Sequence, residues 1–135
     1  LQQLKKIEAM NNINLASKLA LFTDHWNPRI IGDLNENHIK LAKLQGDFIW
    51  HRHELEDELF VVLKGRLMID FRAEGDVLGV RTVEINPGEI IVVPKGVEHR
   101  PHAEEEVHIM LIEPKTVINT GALENELTRK ELQRI

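Results

Sequence analysis

The sequence predicts an all-β domain, a sandwich or barrel, and three observations predict it. Glycine or proline recurs from Gly32 through Gly46, Gly65, Gly79, Gly88 and Gly96 to Pro114. Short apolar runs of strand length lie between these turn signals. No helical pattern of about 10–15 residues falls between the runs, which argues against alternating strand–helix units.

The elements follow in chain order. Residues 1–11 are polar and read as an N-terminal extension able to form a frayed helix. Asn14 is placed to cap a short helix over Leu15–Leu21, where Leu15, Leu19 and Phe22 recur at helical spacing. Trp26-Asn27-Pro28 breaks it, so residues 12–29 are a short helix and a lead-in. The barrel is expected over 30–116, with strands at His38–Leu44, Phe48–Trp50, Leu59–Leu63, Leu67–Phe71, Val80–Ile85, Ile90–Val93 and Val107–Ile112. Gly75 marks a turn before the fifth. Along the third, Glu58, Phe60 and Val62 share one face and Leu59, Val61 and Leu63 the other, so the strand reads as buried on both sides. Gly121 ends an extended stretch over Val117–Thr120, and 123–135 reads as a short helix or a mobile tail.

Composition narrows the function. The chain has 135 residues, one domain's worth. Its net charge of −5 speaks against nucleic acid as partner, because phosphate binding rests on clustered Lys and Arg. No apolar run is long enough to span a membrane. No basic stretch followed by an apolar core suggests a leader, so a cytoplasmic setting is expected. There is no cysteine, which excludes disulfides, thiolate chemistry, Fe–S clusters and Cys-ligated zinc. There is no tyrosine, so no phenol serves as acid, base or nucleophile.

Of seven histidines, five lie between 51 and 108. On a strand over 48–53, His51 and His53 leave the same face, a two-toothed nitrogen donor. Glu58 follows at the start of the next apolar run, where a lone buried carboxylate is costly without a cation or partner. His99 ends a Pro94-Lys95-Gly96 turn, and a barrel can bring it to the other three. Three imidazoles and a carboxylate suit one divalent transition metal, Mn, Fe, Co, Ni, Cu or Zn, rather than Ca or Mg. The competing reading is that HRHELEDE is a solvated acidic loop. His102 is either a surface-loop histidine or a base at the barrel mouth. His108 is either a buried neutral histidine or, if 108, 110 and 112 face the lumen, a pocket acid or base.

The glycines complete two strings: Gly46-x4-His51-x-His53-x4-Glu58-x6-Gly65 and Gly88-x5-Pro94-x-Gly96-x2-His99. These resemble the two sequence motifs of the cupin superfamily. The first gap is one residue short, and Ala103 stands where Asn is common; neither departure touches a ligand position. The resemblance covers roughly 30–115 and is nearest to small single-domain bacterial cupins labelled mannose-6-phosphate isomerase-like. It implies a jelly-roll-like β-barrel with a metal near its centre, held by His51, His53, Glu58 and His99. It also implies a small-molecule ligand in the barrel and a homodimer, for which Leu15–Phe22 and Trp26 are the contact candidates. The expected activity is metal-dependent isomerase, epimerase or lyase chemistry on a small polar substrate such as a sugar or hydroxy/keto acid. An iron-dependent dioxygenase and a non-catalytic binding module are the alternatives.

Overall fold

A computed structural model describes residues 1–73 and 79–135. The Gly75 turn lies outside the described residues. Among the described residues, two short helices precede seven strands: α1 Gln2–Glu8, α2 Leu15–Leu19, β1 Arg29–Leu34, β2 Asn37–Asp47, β3 Glu58–Lys64, β4 Leu67–Arg72, β5 Arg81–Ile85, β6 Ile90–Val93 and β7 Glu98–Pro114. All strand pairings are antiparallel, in the order β1-β2-β7-β3-β6, with β4 joined to β7 and β5 to β4. The fold is the all-β jelly roll that the turn spacing and the motifs predict.

Asn14 caps α2 as expected, its side chain accepting a hydrogen bond from the Ser17 amide at 2.9 Å. The helix is shorter than expected, ending at Leu19. Residues 48–50 are not a strand. Only His51 bridges, exchanging amide hydrogen bonds with His99 at 3.0 and 2.9 Å.

β7 organises the barrel. Its first part pairs with β4 and its last part with both β2 and β3, and the β2 register shifts between Leu44 and Gly46. His99, Pro101, Ala103, Val107, Ile109, Leu111 and Glu113 all point inward and are buried. The core joins them to Leu44, Phe48, Phe60, Val62, Leu67 and Ile69. Gly65 lets the β3–β4 turn fit: it sits at φ +80°, and a Cβ there would lie 2.7 Å from the Glu106 carbonyl oxygen.

Three expectations are corrected by packing. Leu59, Val61 and Leu63 are only half-buried, so β3 is covered on one face within the chain. Phe22 and Trp26, read as dimer contacts, are buried in their own chain: Trp26 stacks on Phe48 at 4.7 Å, and its indole N–H donates to the Gln45 carbonyl. The C-terminal segment is neither helix nor loose tail. It runs beside β1, where the Ile30 amide donates to Gln133 and the Ile135 amide donates to Ile30, and it contributes Val117, Asn119, Arg129 and Leu132 to a wall of the lumen.

Candidate metal centre and lumen

The structure brings His51, His53, Glu58 and His99 together. All four are buried, and one donor atom from each lies within 4.8 Å of the others. Glu58 Oε1 is 3.0 Å from His53 Nε2 and 3.3 Å from His99 Nε2. Two donors about 2.1 Å from a common ion and at right angles to each other are about 3 Å apart. The three atoms make no hydrogen bond, although they are buried and close. They are close together without bonding one another, and a cation among them would satisfy all three.

The ring nitrogens are set for that role. His51 Nδ1–H donates to the Ile49 carbonyl and His99 Nδ1–H to the Val97 carbonyl, both at 2.9 Å. Donation through Nδ1 leaves Nε2 with its lone pair on a neutral ring. Burial and the neighbouring His99 ring push the His51 pKa down to about 4, so this ring is neutral at physiological pH. Burial opposes ionisation of Glu58, but the closeness of Glu113, His53 and His99 outweighs it and holds the carboxyl well below its usual range.

The lumen beside this cluster is lined mostly by apolar side chains, among them Ala42, Leu44, Phe60, Ile109 and Leu111. Its empty volume is about 550 Å³ counting the open mouth. His51, Glu58, Lys40, Glu113, Asn119 and Arg129 are polar groups on its wall.

Lys40 and Glu113 carry no weight in the sequence reading. Lys40 Nζ donates to Glu113 Oε1 at 2.7 Å, and the two side chains are only 2% and 3% exposed. Burial, then the charge of Glu58, push the Glu113 carboxyl well above its usual range, and Lys40 only partly offsets this. Glu113 is therefore the protonated member of the carboxyl pair and Glu58 the ionised one. A signal existed in the strand parity. Glu113 continues the series Val107, Ile109, Leu111, and Lys40 the series Ala42, Leu44.

His102 and His108 are not brought to the cluster. His102 faces outward from β7, where its Nε2–H donates to Asp70 Oδ1 at 3.0 Å. Asp70 also accepts from Thr82 and Arg100. His108 alternates with the inward residues and donates to Glu106 at 2.8 Å; His25 donates to the other oxygen of that carboxylate at 2.7 Å. Trp50 lies under the Arg72 guanidinium at 4.1 Å.

A central cluster of three imidazoles and one carboxylate inside a jelly roll defines a cupin. Residues 37–113 match the cupin domain family Cupin_2, and the chain belongs to that family. A cupin-2 domain containing protein from Shewanella frigidimarina is 45% identical, with a TM-score of 0.70 over 76% of this chain and 94% of that one. YdbB of Bacillus subtilis is 36% identical over 70 residues, which are 52% of this chain and 57% of YdbB, so the match spans little more than half of that curated relative. A hydroquinone 1,2-dioxygenase from Sphingomonas sp. TTNP3 with 4-hydroxybenzoate bound shares the fold, with a TM-score of 0.70 at 16% identity over 80% of this chain and 33% of that one. Among the described residues, no helix is long and apolar enough to cross a membrane.

Proposed function

We propose that the chain is a metal-dependent enzyme acting on a small molecule in the barrel lumen, with His51, His53, Glu58 and His99 holding one divalent transition metal. The observation that carries this reading is the set of buried, unbonded donor atoms on His53, Glu58 and His99. A bound transition metal supplies Lewis acidity toward a substrate oxygen. The Ile49 and Val97 carbonyls fix the rings of His51 and His99 with Nε2 available. Proton handling of the isomerase, epimerase or lyase type falls to Glu113, which lines the lumen next to Glu58, rather than to His102 or His108 on the outer surface.

The apolar lining favours a second reading, an iron-dependent dioxygenase. A mostly apolar wall suits a flat apolar substrate better than a polyhydroxylated sugar. We also propose a homodimer built on the outer face of β3 and β6. There Ile90 and Val92 are 62% and 54% exposed, beside half-buried Leu59 and Val61.

Metal analysis of protein purified without added metal tests the first proposal. A transition metal near one equivalent is expected, lost in His51→Ala and kept in His102→Ala. Loss in the second variant with retention in the first overturns it. Oxygen consumption by iron-loaded protein across a panel of substrates separates the dioxygenase from the isomerase.

A further inference from the structure

Lys40 is the least expected residue in the lumen. Lysine is rarely buried, and taking its ammonium out of water into apolar surroundings carries a desolvation cost. Lys40 is nonetheless 2% exposed. Ala42 and Leu44 follow it on the inward face of β2, and Leu111 is its cross-strand neighbour on β7. An ammonium has three N–H donors, and Glu113 Oε1 is its hydrogen-bond acceptor among the described residues. Two donors are left, and Lys40 is part of the cavity wall. The rest of that wall offers apolar surface at Leu44, Phe60, Ile109 and Leu111, and its polar side chains Asn119 and Arg129 already bond groups of the C-terminal segment. Each hydroxyl buried there without a partner weakens binding, which selects against sugars.

We infer that Lys40 is a ligand-binding residue. Its spare N–H donors hold the anionic oxygen of a small carboxylate or phenolate, whose flat apolar body packs against Leu44, Phe60 and Ile109. The inference rests on the lumen being the ligand site of the metal enzyme proposed above, and it names the substrate class. Lys40 touches Glu113 but none of the four proposed metal ligands, so ligand recognition and metal binding are separable.

The test is calorimetric titration of the Mn²⁺-loaded full chain with benzoate, and with glucose 6-phosphate as the polyhydroxylated comparison. Benzoate is expected to bind at least tenfold tighter than the sugar phosphate. Lys40→Met is expected to bind Mn²⁺ as the parent does and to melt at the same temperature or higher, yet to lose at least tenfold in benzoate affinity. Lys40→Gln, which keeps two N–H donors without the charge, is expected to fall between and serves if Lys40→Met does not fold. Equal benzoate affinity in these variants, tighter binding of the sugar phosphate, or loss of Mn²⁺ in Lys40→Gln overturns the inference. Failure of the parent chain to bind Mn²⁺ overturns the enzyme proposal instead, and benzoate binding by the metal-free chain with loss in Lys40→Gln still reports on Lys40.

Discussion

Replacing Glu58 with leucine separates a metal site from a merely buried polar cluster, because it predicts two effects of opposite sign. Without metal, the parent chain buries Glu58 Oε1, His53 Nε2 and His99 Nε2 with no hydrogen bond to any of them. An unsatisfied buried polar group costs about 1–3 kcal/mol. Glu58 shares its face of β3 with Phe60 and Val62, so leucine adds apolar contact where the carboxylate had none. The metal-free variant is expected to be about 1–3 kcal/mol more stable than the metal-free parent. For a chain of this size that is a rise in Tm of about 4–12 °C. The parent gains from metal what the variant cannot. At a free metal concentration a hundredfold above Kd, the gain is about 2.7 kcal/mol, or about 11 °C. The assay is calorimetric melting of both proteins after chelation and again with added Mn²⁺ or Zn²⁺. A variant that melts lower than the chelated parent and still responds to metal refutes the reasoning, because Glu58 would then be a structural acceptor and not a ligand.

Other perturbations test the surrounding structure. Burial raises the Asp70 carboxyl, but hydrogen bonds from Thr82, His102 and Arg100 outweigh it and hold the pKa at about 2. Its stabilising contribution is therefore full above the unfolded value of 3.8 and is lost as pH falls from there through about 2. Urea melts from pH 5 to pH 2 are expected to show an acid loss about 2 kcal/mol smaller in Asp70→Asn than in the parent, and equal slopes would contradict the assignment. Gly65→Ala forces a Cβ to 2.7 Å from the Glu106 carbonyl at a positive φ, and is expected to cost about 2 kcal/mol or more, read from the urea midpoint. Ile90→Lys with Val92→Lys places two charges on the exposed apolar face and is expected to shift a dimer to monomer in light scattering without altering metal content. An unchanged mass would remove that face from the interface.

The metal cluster was legible because its information is local. The spacing of His51, His53 and Glu58 across one loop and a strand start, and the turn that delivers His99, are fixed within two short strings. The Lys40–Glu113 pair was not legible in that way, since its partners are far apart in sequence and meet only through the β2–β7 register. The same register hides the coverage of β3: an apolar pattern on both faces is compatible with burial by the chain or by a second copy. His108 shows a subtler limit. Val107–Ile112 is apolar at both parities, so the run alone does not say which face is inward. The answer lay eight residues upstream. Apart from exposed Glu105, β7 keeps an odd inward parity from His99 to Glu113, and His108 faces outward accordingly. Reading 98–114 as one strand was prevented by Pro101 and by Glu104-Glu105-Glu106, both ordinary signs of a turn.

That continuity also explains why the site needs the whole barrel. At about 3.3 Å per residue, the fourteen steps between His99 and Glu113 would hold these side chains about 46 Å apart on a straight strand. Both nevertheless meet Glu58: His99 Nε2 lies 3.3 Å from its Oε1, and the Glu113 carboxyl is near enough to be raised by its charge. Both ends of β7 can reach one carboxylate only if the strand curls round the lumen. Its pairing partners change from β4 to β2 and β3 along the way, past the β2 irregularity at Leu44–Gly46. The act that closes the barrel is therefore the act that assembles the cluster. A substitution that straightens β7 near Glu104–Glu106 should weaken metal binding without touching a ligand, whereas one that loosens β5, whose only strand partner among the described residues is β4, should not.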